Sequence, residues 1–257
     1  MTSEISAGRL FDLTGEVALV TGASSGLGAR FAEVLAAQGA KVILAARRVD
    51  RLEAHAARLA NANAMALDVT EPASFAGFLE AASEAFGPVT LLLNNAGVAD
   101  ARRFLDTPPE EWERVRSTNV DAVWHLSQAF AKGLIAARRP GAIINIASIA
   151  SYRVSATPVA YAVSKAAVEH LTKALAVELA RYRIRVNAIA PGYIKSEMTE
   201  SYLASEAGQA LLKRTPQRRA GEPSDLDGVL MLLASGRASG YMTGSTVVVD
   251  GGHMWAT

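Results

Sequence analysis

Short runs of consecutive apolar residues alternate along the chain with longer stretches in which apolar residues recur every three or four positions. The short runs are typical of strands buried on both faces, and the longer stretches are typical of helices. The pattern predicts strands at 17–20, 41–45, 64–67, 89–93, 142–146, 185–189 and 246–249. It predicts helices at 29–38, 51–59, 74–85, 110–132, 161–181 and 225–233.

Continuous apolar strands separated by helices predict a parallel sheet with helices on both faces. The chain has 257 residues, half of them hydrophobic, which is enough for one sizeable core. We therefore predict a single α/β domain over 1–257, a Rossmann-type doubly wound fold with a seven-stranded parallel sheet. The stretch 193–219 is the least regular part of the pattern, and we predict that it forms a mobile lid over the substrate.

Composition narrows the class of protein. Charges are balanced, with 26 Lys and Arg against 25 Asp and Glu, so nothing favours binding to nucleic acid or to an anionic membrane. The absence of cysteine excludes disulfides and thiolate catalysis, and the four histidines lack the spacing of metal ligands. Residues 1–15 lack a secretory pattern, and no apolar run reaches the roughly 18 residues that span a bilayer. We expect a cytoplasmic protein without a metal.

A glycine-rich turn lies between the first predicted strand and the first predicted helix, where residues 21–28 read TGASSGLG. Glycines at this junction allow a tight turn and the approach of a pyrophosphate to the helix N-terminus. A glycine triplet alone is a weak signal, but its place inside a strand–helix–strand unit is specific. The turn therefore predicts a dinucleotide site.

The end of the second predicted strand indicates which dinucleotide binds. Ala46 stands where a carboxylate would hold the adenosine ribose, and Arg47 and Arg48 follow it. A guanidinium pairs with a 2′-phosphate, which a carboxylate would repel. We predict NADP(H) as the preferred cofactor, with NAD(H) as the alternative; the two arginines are also compatible with an ordinary solvated helix start.

Tyr161 and Lys165 are four residues apart in a predicted helix, so their side chains share one face. A phenol ordinarily ionises near pH 10, and a neighbouring cation lowers its pKa. We therefore expect Tyr161 to exchange a proton with an alcohol or a carbonyl near neutral pH. Ser148 lies thirteen residues upstream of the tyrosine.

At this point the chain resembles the short-chain dehydrogenase/reductase family, in its main branch of roughly 250-residue enzymes. The resemblance runs from Gly15 to about Gly252 and is carried by TGxxxGxG at 21–28, NNAG at 94–97, Asn119, Ser148, YxxxK at 161–165 and PG at 191–192. It implies that Tyr161 is the general acid or base. It also implies that Ser148 binds the substrate oxygen, that Lys165 lowers the Tyr161 pKa and holds a ribose, and that Asn119 holds a water in a proton relay.

The turn and the resemblance together assign the two sites. The cofactor site comprises Thr21, Gly22, Ser24, Ser25, Gly26, Leu27, Gly28, Arg47, Arg48, Asp68, Val69, Asn95, Ala96, Gly97, Tyr161, Lys165, Pro191, Gly192, Ile194 and Ser196. The substrate pocket comprises Val98, Ile149, Ala150, Arg153, Val154, Tyr193, Met198 and Tyr202. Because most of the pocket is apolar, we expect a substrate with an apolar body around its ketone or secondary alcohol.

The predicted function is hydride transfer between NADP(H) and such a substrate. One alternative is reduction of 3-oxoacyl thioesters, with an acyl carrier protein docking on Arg138, Arg139, Arg181 and Arg183; a plain solvated basic face fits these arginines equally. An alternative from another class is a dinucleotide sensor without turnover. The resemblance also implies a homotetramer, formed through the helices that hold Asn119 and Tyr161 and through the last strand with the tail.

Overall fold

A computed structural model gives the fold of the chain and describes residues 6–99, 102–153 and 158–256. The strands form one seven-stranded sheet in the order β3-β2-β1-β4-β5-β6-β7, and every neighbouring pair is parallel. The strands are β1 Val17–Thr21, β2 Lys41–Ala46, β3 Ala62–Ala66, β4 Leu91–Asn94, β5 Gly141–Ile146, β6 Ile184–Pro191 and β7 Thr246–Val249. The predicted α/β fold is confirmed.

The central strands are apolar at consecutive positions because both faces of the sheet are covered. In β4, Leu91 and Leu93 pack into the core on one face, while Leu92 packs into the core on the other. Side chains alternate between the faces of a strand, so an uninterrupted apolar run supplies both cores. The chain order reverses between β1 and β4, and a cleft at the carboxyl ends of these strands is where such sheets bind ligands.

Helices cover both faces and differ from the predicted boundaries by a few residues. The α-helices are α1 Ala7–Leu10, α2 Gly26–Ala37, α3 Val49–Ala56, α4 Phe75–Phe86, α5 Pro109–Arg116, α6 Ala122–Ala136, α7 Val159–Leu179, α8 Glu200–Ala204, α9 Glu206–Arg214, α10 Asp227–Ala234 and α11 Gly236–Ser239. Short 3₁₀ helices occupy Pro72–Ser74, Phe104–Asp106, Ile149–Ser151, Ala180–Tyr182, Pro223–Leu226 and His253–Trp255.

Two predicted segments differ in kind from the structure. The single helix predicted at 110–132 is divided, because a π-helical turn at Ser117–Asp121 separates α5 from α6. The predicted irregular stretch 193–219 contains the short helices α8 and α9; we call residues 193–219 the lid segment. Within the part of the chain that the structure describes, no helix is both long and apolar enough to cross a membrane.

Candidate active site

The glycine-rich turn after β1 is packed against the loop that follows β4. Gly22 and Gly26 have φ angles of +66° and +55°, in the left-handed region that glycine adopts without strain. A Cβ on Gly22 would lie 2.9 Å from the Ala96 Cα atom. The close approach of these two loops therefore requires glycine and shapes one wall of the cleft.

Two residues assigned to the cofactor from sequence lie behind that wall. The Thr21 hydroxyl donates to the Leu93 carbonyl (3.1 Å) and accepts from the Asn95 and Ala96 amides (3.0 Å each). A Cβ on Gly28 would lie 2.4 Å from the Gly22 carbonyl oxygen. Neither Thr21 nor Gly28 is among the described residues that line the cleft, so both shape the turn from behind.

The cleft fits a dinucleotide. Its volume is about 640 Å³, within the range of cofactor sites. Helix α2 starts at its edge, and the Ser25 side chain at its N-cap makes no capping hydrogen bond, so this side chain leaves the first N–H groups of the helix to an anion. The cofactor residues predicted from sequence, other than Thr21 and Gly28, line this cleft, from the glycine turn to Lys165 and Ser196.

The second strand ends in a cationic cluster at the part of the cleft where the adenosine is predicted to bind, which we call the adenosine side. Arg48 donates to the Ser24 hydroxyl (2.9 Å) and to the Ser25 hydroxyl (2.9 Å), and Arg47 lies beside it on the cleft wall. Just after the neighbouring strand β3, hydrogen bonds from the amide and hydroxyl of Thr70 lower the pKa of Asp68, with a smaller contribution from Arg47. Hydroxyl and guanidinium donors converging at one point provide the partners of a phosphate monoester.

Glu197 is a cleft residue that the sequence patterns did not identify. It follows β6 in the lid segment, and its carboxylate lies 2.9 Å from an Arg51 nitrogen and 3.7 Å from an Arg48 nitrogen. Hydrogen bonding and charge from Arg51, followed by the charge of Arg48 and a hydrogen bond with Ser25, lower the pKa of Glu197. No local motif could have indicated this contact, because its partners lie about 150 residues apart in sequence.

Tyr161, Lys165 and Ser148 meet at the carboxyl end of β5. Ser148 follows the strand and caps the 3₁₀ helix after it, accepting a hydrogen bond from the Ala150 amide at 3.1 Å. The Lys165 ammonium lies 5.7 Å from the centre of the Tyr161 ring and donates to the Ile146 carbonyl at 2.7 Å. The predicted helical face therefore turns both side chains into the cleft beside Ser148.

Burial decides the protonation states in this cluster. Burial raises the pKa of Tyr161, the hydrogen bond with Ser148 acts against the rise, and the neighbouring Tyr193 phenol adds to it. Burial also lowers the pKa of Lys165 to about 8. The expected lowering of the Tyr161 pKa by Lys165 is thus not found: the loss of solvation raises this pKa, and Lys165 is not among the groups that shift it. A phenol with a raised pKa is protonated at neutral pH.

Asn119 reaches this cluster from the π-helical turn between α5 and α6. Its side chain accepts from the Val98 amide (2.8 Å) and donates to the Val98 carbonyl (2.9 Å) and the Ser164 hydroxyl (3.0 Å). Ser164 precedes Lys165 in α7, so the Asn119 amide ties the loop after β4 to α7. π-helical turns often occur at functional sites because they redirect the residues of a helix.

The lining of the cleft differs from the predicted substrate pocket. Val98 and Met198 line the cleft, together with Arg114, Ser117 and Thr118, which the sequence patterns did not identify. The lining of the cleft therefore contains both apolar and polar groups. Among the described residues, the lining does not include five predicted pocket residues: Ile149, Ala150, Arg153, Tyr193 and Tyr202. Val154 lies outside the described residues.

Tyr193 lines a smaller cavity of about 210 Å³ behind the cleft. Its ring stacks on Tyr202 with centroids 5.7 Å apart and meets the His253 ring edge-on at 5.4 Å. His253 is buried, and its Nδ1 lies 3.2 Å from the Thr215 hydroxyl. The aromatic cluster thus joins the lid segment to the C-terminal tail.

Arg153 holds that tail in place. The guanidinium donates to the carbonyls of His253 (2.6 Å) and Ala256 (2.6 Å), with a longer contact to Met254 (3.4 Å). Hydrogen bonds from a charged donor are among the stronger ones in proteins. The predicted place of Arg153 in the substrate pocket is therefore not what the structure shows, since its guanidinium is directed to the tail carbonyls.

The segment after β6 closes the part of the cleft where the resemblance predicts that the nicotinamide binds. A Cβ on Gly192 would lie 2.7 Å from the Asp250 Cβ, so the chain passes directly over the residue after β7. Ile194 forms a parallel bridge with Gly221, and the Ser196 amide donates to the Thr199 hydroxyl at 3.1 Å. These contacts hold the first residues of the lid segment along the cleft.

Comparison with known proteins agrees with this geometry. A sequence profile described as enoyl-(acyl carrier protein) reductase matches residues 22–254. The chain is 39% identical over 242 residues to the 3-oxoacyl-(acyl-carrier-protein) reductase FabG of Vibrio cholerae, covering 94% of this chain and 98% of the relative. It is 38% identical to the 5-keto-D-gluconate 5-reductase of Escherichia coli strain K12, covering 96% of this chain and 98% of that protein.

Solved structures agree over nearly the whole chain. A gluconate 5-dehydrogenase from Burkholderia cenocepacia, crystallised with NADP and tartrate, superposes with a TM-score of 0.93 at 34% identity, covering 98% of this chain and 100% of that one. A short-chain type dehydrogenase/reductase from Mycobacterium marinum superposes with a TM-score of 0.89 at 41% identity, covering 96% and 99%. The predicted resemblance is confirmed: the chain belongs to the short-chain dehydrogenase/reductase family of NAD(P)-dependent oxidoreductases.

Proposed function

We propose that the protein reduces a ketone to a secondary alcohol with NADPH, and that Tyr161 is the proton donor. The observation that carries this proposal is the partly buried phenol with a raised pKa beside Ser148 and Lys165. A neutral phenol at neutral pH is the form that can give a proton to a carbonyl oxygen. The bound dihydronicotinamide supplies the hydride to the carbonyl carbon.

The side chains around Tyr161 take separate parts in the reaction. Ser148, held at the end of β5, donates a hydrogen bond to the substrate oxygen and stabilises the charge that develops there. Lys165 places a positive charge behind the phenol and binds the ribose of the cofactor. Asn119 anchors the loop at Val98 to α7 and so holds the cluster together. A water on this amide would complete a proton path to solvent.

The preference for the phosphorylated cofactor rests on the adenosine side of the cleft. Ser24, Arg47 and Arg48 line it, and β2 ends in Ala46 rather than in a carboxylate. The crystallised gluconate 5-dehydrogenase from Burkholderia cenocepacia, which contains NADP, supports the same preference. NAD(H), without a 2′-phosphate, would lack the charge that these groups attract.

The mixed apolar and polar lining of the cleft narrows the class of substrate. Val98 and Met198 favour a hydrocarbon body, whereas Ser117, Thr118 and Arg114 provide polar contacts. A second candidate, reduction of 3-oxoacyl thioesters, is supported by the similarity to the reductase of Vibrio cholerae.

The basic residues that the sequence analysis considered for a carrier protein do not favour that candidate. Arg138 and Arg139 precede β5, and Arg181 and Arg183 lie just before β6, so all four are at the amino ends of the strands. The cleft is at the carboxyl ends. A carrier protein bound to these arginines would therefore dock at the far edge of the sheet.

Turnover assays test the reaction and separate the candidates. Oxidation of NADPH at 340 nm is expected with at least one ketone from a panel of 5-keto sugar acids, 3-oxoacyl thioesters and apolar ketones. We expect kcat/KM with NADPH to exceed that with NADH by about tenfold, or about 1.4 kcal/mol, because several guanidinium and hydroxyl groups together can pair with the 2′-phosphate. Binding of NADPH without oxidation across the panel would instead support the sensor.

We also propose a homotetramer. The outer faces of α6 and α7 expose large apolar side chains, among them Trp124 (50%), Val163 (48%) and Val177 (83%), and the tail exposes Trp255 (81%). Apolar surfaces of this kind mark association sites. Light scattering is expected to give about four times the chain mass of 27.0 kDa. A mass of one chain at micromolar concentration would contradict the proposal.

A further inference from the structure

Glu197 places a carboxylate among the groups that converge at the adenosine side of the cleft. It pairs with Arg51 at 2.9 Å and with Arg48 at 3.7 Å. A hydrogen bond with Ser25 also contributes to its environment. The Glu197 carboxylate is therefore an anion supplied by the protein itself, held by two guanidinium groups and a hydroxyl.

These partners are the ones that a phosphate monoester would use. Arg48 donates to the hydroxyls of both Ser24 and Ser25, so the guanidinium already points to the inner end of this cluster. Phosphate and carboxylate are both recognised by guanidinium forks and hydroxyl donors. A 2′-phosphate and the Glu197 carboxylate would therefore compete for Arg48, and their like charges would repel each other.

The position of Glu197 in the chain connects this competition to the lid segment. The residue lies between β6 and α8, next to Ser196, whose amide is bonded to Thr199. Its partners Arg48 and Arg51 lie at the start of α3, on the other side of the cleft. The ion pairs thus bridge the cleft from the lid segment to α3.

We propose that Glu197 is a specificity-determining residue that mimics the 2′-phosphate of NADP(H) and is displaced by it. The inference rests on the proposed preference for NADP(H). Displacement costs NADP(H) part of its charge-pairing energy and costs NAD(H) none, so Glu197 moderates the preference. It also frees the lid segment from α3 when the phosphorylated cofactor binds.

The solvent exposure of the paired side chains sets the expected change in affinity when the Glu197 charge is removed. The side chains of Glu197, Arg48 and Arg51 are 61%, 45% and 46% exposed, so solvent screens each pair. Removing one charge at such a site changes affinity by about two- to fivefold. The change should shrink at high salt, since a Debye length of about 3 Å at 1 M screens exposed charges.

Calorimetry with two fragments tests the inference. Adenosine 2′,5′-bisphosphate and adenosine 5′-monophosphate differ only in the 2′-phosphate. Glu197→Gln is expected to lower the Kd of the bisphosphate about two- to fivefold and to leave that of the monophosphate unchanged. As a control, Glu200→Gln removes the same charge three residues further along the lid segment, in α8, and is expected to change neither Kd.

The outcomes separate this inference from the cofactor preference on which it rests. A Glu197→Gln variant that binds the bisphosphate more weakly, or binds both fragments equally more tightly, would overturn the competition. If wild-type protein binds both fragments equally and Arg48→Ala changes neither Kd, the preference for NADP(H) and this inference fail together. If Arg48→Ala selectively weakens the bisphosphate while Glu197→Gln has no effect, only the inference fails.

Discussion

Tyr161→Phe is expected to reduce the rate of ketone reduction by about 10³- to 10⁴-fold, since the variant loses the proposed proton donor. The ring and its packing remain, so the cofactor should bind with unchanged affinity. Turnover is measured at 340 nm, and NADPH binding is measured by the fluorescence of the reduced cofactor. The split between a lost rate and an intact Kd is the signature of a group that acts in the transition state.

Tyr182→Phe is the matched control for this experiment. It removes a phenol of the same kind from the 3₁₀ helix that follows α7, at the amino end of β6 and away from the cleft lining. This variant should retain the wild-type rate. A Tyr161→Phe protein that turns over at the wild-type rate would refute the assignment of Tyr161 as proton donor.

Lys165→Met is expected to lower kcat/KM for reduction by about 10²- to 10³-fold, through loss of the charge behind the phenol. The same variant should be more stable than the wild type at pH 7, on the order of 2 kcal/mol. Burial disfavours the ammonium in the folded protein, whereas the methionine side chain is apolar and of similar length. A gain in stability with a loss of activity distinguishes a functional buried charge from a structural one.

The pH dependence of the free energy of unfolding follows from the lowered pKa of Lys165. Because the pKa of Lys165 falls from 10.5 to about 8 on folding, the unfolded chain binds more protons between these values. The lysine's contribution therefore makes the free energy of unfolding rise with pH from about 8 to 10.5. Denaturant titrations should show a smaller rise for Lys165→Met than for the wild type. Identical slopes in the two proteins would contradict the burial of a charged lysine.

Catalytic activity should fall with rising pH over the range in which the free energy of unfolding rises. Loss of the Lys165 proton above pH about 8 removes the cation from the site, so kcat/KM for reduction falls there in the wild type. The raised pKa of Tyr161 keeps the phenol protonated over this range, so the tyrosine does not account for this alkaline decrease in kcat/KM. The residual activity of Lys165→Met should not show this alkaline decrease. A decrease that persists in the variant would assign the titration in the activity profile to another group.

The sequence by itself determined the sheet and the parts of the site that depend on neighbouring residues. The run of Leu91 to Leu93 predicted a strand buried on both faces, and the structure places these residues in two cores. The four-residue spacing of Tyr161 and Lys165 is a property of one helix turn, so their common face followed without further information. The glycine turn after β1 was equally readable, since its φ angles and its contact with the next helix are local.

Tertiary structure decided the features that depend on residues distant in the chain. Glu197 joins Arg48 across the cleft, and Arg153 is directed to the carbonyls of the C-terminal tail rather than to a substrate. The direction of the Tyr161 pKa came from burial, not from the lysine in its own helix. Periodicity and spacing describe a single element, whereas solvation and the choice of charged partners depend on which elements fold against each other.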